Sequence, residues 1–206
     1  VTVLSPVMTV LAHPRAGSFD HQLAAAVRST LSQAGVRQNT HDLYAESFDP
    51  VLTEAEGISA EVWTRGTSAE QVRDGVPIAD PLVDRHRREL AESRALVVIH
   101  PDWLGKPPAI LTGWLDRVLL AGAGTPGRAR PAPNLQRALI INTHDRTTTG
   151  VRPESDPIGL LWREQIGPFL GSPEFELLSV HAGPSEPTRW LNAARRASAW
   201  VCGAAR

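Results

Sequence analysis

ALVVIHPDWLGKPPAILTGWLDRVLL, residues 95–120, reads as a strand, a stiff turn and a helix in that order. Residues 95–99 are apolar and rich in β-branched side chains, with no polar alternation, which is the pattern of a strand covered on both faces. Residues 100–109 (HPDWLGKPPA) carry two adjacent prolines and a glycine, and Trp103 offers a flat apolar wall. Residues 108–120 then repeat apolar side chains at helical spacing, with Pro108 in the first turn, where a missing N–H costs nothing. Working outward, residues 8–12 (MTVLA) and 138–141 (ALII) read as further buried strands. Residues 36–43 and 176–181 are weaker strand candidates. Helical spacing recurs over 22–31, 81–93, 158–170 and 186–201, and Ser18 or Asp20 is placed to cap the first of these. Strands alternating with helices imply a parallel sheet with helices on both faces. Five strands in the order 2-1-3-4-5 is the economical arrangement, and it is expected to form one domain over residues 1–206. In such sheets ligands bind beyond the carboxyl ends of the strands, where the strand order reverses.

Composition narrows the function. A chain of 206 residues is long enough for a full core without disulfides or structural metal. The formal net charge is −1 and no basic stripe interrupts the mixture of Arg and acid, so nucleic acid is not an expected partner. Cys202 is the only cysteine, in keeping with a reducing cytoplasm. No apolar run approaches the roughly 20 residues of a membrane-spanning helix. The start lacks the basic region of a signal peptide. Met8 is expected to open the first strand directly, with residues 1–7 an extension upstream of it. Two stretches, 44–76 and the Gly/Pro-rich 122–133, are long and irregular, as functional or mobile loops are.

Three loops follow the three buried strands. In the first, residues 13–20 (HPRAGSFD), Gly17, Ser18 and the N–H groups opening a helix make a cradle for a phosphate, with Arg15 able to add a charged contact. An ordinary capped βα turn has the same appearance, and the spacing is not that of a P-loop. The second, residues 100–109, provides the rigid slot that a planar heteroaromatic ligand needs; a proline-rich turn over a core Trp is the plainer reading. The third, residues 142–150 (NTHDRTTTG), is rich in short hydroxyl side chains suited to a polar rim, as is any solvated loop. These loops also gather His13, His21, His100 and His144 near three aspartates. No two of them have a helical ligand spacing, so no metal is expected.

Several of these segments resemble a known family. LAHPRAGSFDHQLA (11–24), DLYAESFDP (42–50), HPDWLGKPPAILTGWLDRVL (100–119), NTHDRT (142–147) and LWREQIGPFLG (161–171) are similar, in order, to segments of the flavodoxin-like NAD(P)H dehydrogenase (quinone) family, nearest its modulator of drug activity B subgroup. The resemblance implies a flavodoxin-like three-layer fold, FAD or FMN as cofactor, and NAD(P)H as co-substrate. It also implies two-electron hydride transfer to a quinone or related aromatic, in a homodimer with its sites at the subunit interface. By position, His13, Arg15, Ser18, Phe19 and Asp20 would hold the flavin phosphates. Pro101, Asp102, Trp103 and Leu104 would border the ring, and Asn142, Thr143, His144 and Asp145 would meet its far edge. Asp42, Tyr44 and Trp114 would brace the fold.

The sequence departs from that family at the site. Asp20, Asp102 and Asp145 stand where it commonly has asparagine, and an ionised Asp accepts hydrogen bonds but does not donate them. Asp20 is expected to set a negative charge beside a phosphate, so that binding tightens as pH falls. Leu104 replaces a usual second Trp, and a tyrosine that assists some relatives is absent. The leading expectation is a flavin-dependent NAD(P)H oxidoreductase with His144 as proton donor. Two alternatives stay open. One is a flavin-free enzyme using Asp102 or Asp145 with His144 in acid–base chemistry on an aromatic; the other is a non-catalytic regulatory subunit. Helix 108–120 carries a wide apolar band and is expected at or near a homodimer interface.

Overall fold

The computed structural model describes residues 6–53, 80–120, 132–145, 156–181 and 187–202. Residues 54–76, 122–131 and 146–150 of the expected loops lie outside that set. Strands β1 (Val7–Leu11), β2 (Gln38–Asp42), β3 (Ala95–Pro101), β4 (Arg137–His144) and β5 (Glu174–His181) form one sheet in the order β2-β1-β3-β4-β5. Every pairing is parallel, with Val7 opposite both Gln38 and Ala95, Ala95 opposite Arg137, and Arg137 opposite Glu174. Helices are α1 (Phe19–Gln33), α2 (Pro81–Glu92), α3 (Ala109–Trp114, continued by a wider π-helical stretch Leu115–Leu120), α4 (Pro157–Leu160, continued likewise over Leu161–Ile166) and α5 (Pro187–Val201).

The strand period of two sorts the core into two layers. Met8 and Val10 of β1, with Leu96 and Val98 of β3, face a cluster that includes Leu90 of α2, Trp114 of α3 and Trp162 below α4. Val7 and Leu11, with Val97 and Ile99, face the opposite cluster with Leu23 and Val27 of α1 and Ala194 and Ala197 of α5. This is the flavodoxin-like three-layer arrangement. Burial of each such Leu or Val contributes about 1.5–3 kcal/mol relative to exposure.

Local signals set the helix ends. Asp80 and Asp156 each precede a proline and accept the N–H of the residue two positions on, Leu82 at 2.9 Å and Ile158 at 3.1 Å. Helix α1 stops at Gly35, whose φ of +66° suits glycine, while Val36 N–H returns to the Leu31 carbonyl at 3.0 Å. Among the described residues no helix is long and apolar enough to cross a membrane.

Several boundaries differ from the sequence reading. Val7 belongs to β1 and is fully buried, so it is not an upstream extension. Strand β3 runs on through His100 and Pro101, and β4 through Asn142, Thr143 and His144. These five residues are therefore held in ladders rather than in loops, because the parallel register between β3 and β4 persists as far as Pro101 opposite Thr143. The apolar band of helix 108–120 is covered within the chain: Leu111, Trp114 and Leu119 are fully buried and Ile110, Leu115 and Val118 nearly so.

Candidate functional site

All five strands are parallel, so the segments after β1, β3 and β4 leave the sheet at one end. Thr143, near the end of β4, ties them together. Its hydroxyl donates to Asp20 Oδ1 at 2.7 Å, and its carbonyl accepts the Asp102 N–H at 2.7 Å. One residue thus fixes the first turn of α1 against the segment following β3.

The segment after β1 is a compact turn. Ser18 N–H reaches the Arg15 carbonyl at 3.1 Å, His13 Nδ1 accepts the Arg15 N–H at 3.1 Å, and Gly17 takes a φ of +73°. Arg15 is exposed, Phe19 packs against the α1–α5 layer, and Ser18 caps α1. Asp20 is 98% hidden from solvent, with a relative exposure of 2%. Burial pushes its carboxyl above the usual range, against the opposing hydrogen bond from Thr143. Thr143 engages Oδ1, while the buried Oδ2 has no partner among the described residues, so an enclosed carboxyl stands at the opening of α1.

After β3 the chain turns sharply. Asp102 Oδ1 accepts the Gly105 N–H at 2.6 Å, and Trp103 N–H donates to the Lys106 carbonyl at 3.0 Å. Leu104 adopts φ +61°, a left-handed conformation costing a non-glycine residue roughly 1–2 kcal/mol, and is 97% exposed. Trp103 beside it is 42% exposed. A strained backbone that displays two large apolar side chains is a feature of ligand-contacting turns. Pro101 is buried as the last residue of β3.

Behind these turns, His100 is fully buried. Its Nε2 accepts the Trp162 indole N–H at 3.2 Å and its Nδ1 meets the Pro101 carbonyl at 2.9 Å, so the ring is neutral with its hydrogen on Nδ1. Burial lowers its pKa to about 4, against the carbonyl bond and the nearby Asp102 charge. Asn142 Oδ1 accepts from Ser179 at 3.3 Å, while its buried Nδ2 donor has no partner among the described residues. His144 lies opposite His181 across β4 and β5, with ring centroids 5.9 Å apart, and Asp145 is exposed just beyond.

Sequence reasoning passed over two groups. The first is a line at the opening of α1: Ser18 Oγ lies 2.8 Å from His21 Nδ1, and His21 Nε2 lies 3.0 Å from Asp42 Oδ2. The signal was present, since Ser18 and His21 occupy the first and fourth positions of a capping box. The second joins His41, Glu46 and His86, whose ligand-type atoms lie within 4.8 Å of one another. Trp114 Nε1–H donates to His86 Nδ1 at 2.8 Å, which places the hydrogen of neutral His86 on Nε2, facing Glu46 at 3.1 Å. That nitrogen therefore acts as a donor, and the arrangement suits a hydrogen-bonded brace better than a metal. Burial pushes Glu46 up, but the hydrogen bonds from His41 and His86 outweigh it and hold its pKa at about 2. No local pattern could have found this group, because its members are distant in sequence.

Comparison with known proteins agrees with this geometry. The profile of the flavodoxin-like fold family matches residues 5–200. The chain belongs to the flavodoxin-like fold family. Among curated relatives of this flavodoxin-like chain, ribosyldihydronicotinamide dehydrogenase (quinone) of Pongo abelii is 30% identical over 120 residues, covering 56% of this chain and 52% of that protein. An uncharacterised NAD(P)H oxidoreductase of Escherichia coli is 30% identical over 109 residues, covering 53% and 50%. The chain spans about half the length of the curated relatives it matches. Among solved structures, an NAD(P)H:quinone oxidoreductase from Methanothermobacter marburgensis superposes with a TM-score of 0.71 at 22% identity over 94% of this chain and 95% of that one. An FMN-dependent NADH-azoreductase from Bacillus anthracis, in complex with FMN, gives 0.66 at 12% identity over 96% and 99%.

Proposed function

We propose that this flavodoxin-like chain is a flavin-dependent NAD(P)H oxidoreductase that reduces a quinone or related aromatic by two electrons. The observation that carries the reading is the Thr143 junction, which gathers the segments after β1, β3 and β4 at the carboxyl end of the sheet. The names of the relatives point the same way, and one neighbour of the same fold was solved with FMN.

The residues present fit a flavin. The unpartnered donor of Asn142, the open turn at Gly17 and the exposed Trp103 and Leu104 offer a polar edge, an anion cradle and an apolar wall. His13, Arg15, Ser18 and Phe19 would hold the phosphate end, and Pro101, Asp102, Trp103, Leu104, Asn142, Thr143 and His144 the ring. Bound there, FAD or FMN supplies the two-electron chemistry that accepts hydride from NAD(P)H and passes it to the acceptor. Trp103 and Leu104 would shield a bound ring from water. His144 is the proposed proton donor at the rim, with His181 as its imidazole neighbour. Asp102 has a holding role, because its carboxylate accepts the Gly105 N–H and so fixes the turn that displays Leu104. That contact weighs against Asp102 as an acid–base pair with His144. Trp103, Leu104 and Leu160 are large apolar side chains left exposed, and a homodimer joined there rather than along α3 would cover them.

The test is consumption of NADH or NADPH by purified protein supplied with FMN or FAD and a quinone. The reading expects turnover that requires flavin and falls at least tenfold in His144→Ala. Flavin-independent turnover of an aromatic would favour acid–base chemistry instead, and an inert protein that still binds flavin would favour a regulatory role.

A further inference from the structure

The hydrogens in the Ser18–His21–Asp42 line can be assigned one by one. Asp42 is an acceptor, so His21 Nε2, 3.0 Å from Oδ2, carries a hydrogen. Asp42 is held in place for this, since its Oδ1 accepts the N–H groups of Tyr44 and Ala45 at 3.1 and 3.2 Å. In neutral His21 the other nitrogen, Nδ1, is then an acceptor, and the hydroxyl hydrogen of Ser18 points to it across 2.8 Å. With His21 in that neutral form, the Ser18 hydroxyl is engaged and has nothing to donate to an anion.

An anion resting on Ser18 changes the count. The hydroxyl must turn its hydrogen toward the anion, which leaves an oxygen lone pair facing the lone pair of His21 Nδ1. The contact becomes favourable again only if Nδ1 gains a hydrogen and donates to Ser18 Oγ. His21 is then an imidazolium, with Asp42 on one side and the Ser18–anion pair on the other. We propose that His21 is a positioning residue that takes up one proton from solvent at Nδ1 when the flavin's phosphate docks on Ser18. This rests on the flavin reading above.

The other charged groups near His21 are few. His13, after β1, stands edge-on with ring centroids 6.3 Å apart, and its protonation would oppose that of His21. Asp20, on the next position of α1, is buried and would favour a charged His21. Asp42, at the end of β2, favours it most directly. The side chains of His21 and Asp42 remain 22% and 25% exposed, so a proton can reach the ring from solvent.

Isothermal titration calorimetry with FMN and with FAD at pH 7.5, in two buffers of different ionisation enthalpy, counts the proton directly. The wild type is expected to take up about one proton per flavin, with affinity falling about tenfold per pH unit above pH 7.5. His21→Gln, whose amide donates to Ser18 at any pH, should bind flavin with no uptake and a flat pH profile. Asp20→Asn should keep the uptake. Nitrogen NMR of the wild-type ring gives an independent readout: the Nε2–H tautomer without flavin, and both nitrogens protonated in the complex. Uptake that survives His21→Gln but vanishes in Asp20→Asn would assign the proton to Asp20 and overturn the proposal. Flavin binding with no proton uptake would overturn it while leaving the flavin reading intact. Absence of flavin binding by the wild type would overturn both.

Discussion

At the scale of single residues, the site is supported by side chains whose hydrogen-bonding capacity is committed in one direction. His100 shows the energetic consequence. Its ring is neutral in the fold, with a pKa lowered from 6.5 to about 4, whereas the unfolded chain protonates it in the ordinary range. A depressed histidine contributes stability that is complete above the unfolded value and is lost as pH falls. Between pH 6.5 and about 4 this one residue should cost about 3 kcal/mol of folding stability. His86, also lowered chiefly by burial, adds to the loss in the same direction, and Asp20, raised by burial, offsets part of it. Proton NMR of the His100 ring should show a midpoint near 4, while urea unfolding shows declining stability below pH 6.5. A midpoint near 6.5 would mean that the His100 ring is not enclosed as described.

At the scale of elements, the packing of α3 decides how the segment after β2 returns to the body. A Cβ on Gly113 would lie 2.2 Å from the Pro50 carbonyl oxygen and 2.4 Å from Pro50 Cβ. Backbone against backbone cannot yield as a flexible side chain can, so Gly113→Ala should destabilise by about 1–3 kcal/mol, read as a lower urea midpoint. An unchanged midpoint would show that Pro50 does not rest on α3. The same element marks a limit of sequence reading. The apolar spacing of residues 108–120 is plain in the sequence, but its neighbours are not: Pro50 rests against Gly113, and Val83, Leu90 and Trp162 share the cluster of Leu111 and Trp114. The buried strands β1 and β3 were legible because both faces are covered and the run is unbroken. The edge strands β2 (QNTHD) and β5 (EFELLSVH) are half-exposed and polar, which dilutes the signal. The ends of β3 and β4 read as loop in the sequence because His100, Pro101 and Asn142 interrupt the apolar runs. Parallel pairing overrides that interruption.

At the scale of the whole molecule, the order β2-β1-β3-β4-β5 puts the reversal of strand order beside β1, with the turns after β1 and β3 on either side of it. The alternation of strands and helices was enough to anticipate that arrangement. The convergence of the segments after the buried strands was likewise legible, but the contact that joins them, Thr143 to Asp20 and Asp102, was not. It depends on residues brought together by the register of β3 and β4. Asp20 is enclosed at the opening of α1, where burial raises its pKa, so a phosphate there meets less negative charge as pH falls. The central claim is that this end of the sheet holds one flavin, and titration of the purified chain with FMN and FAD, followed by quenching of flavin fluorescence, tests it most directly. The account predicts saturable binding of one flavin per chain, weakened in Thr143→Val, which removes the hydroxyl tie between β4 and the first turn of α1. Flavin fluorescence that stays unquenched at every protein concentration would contradict it.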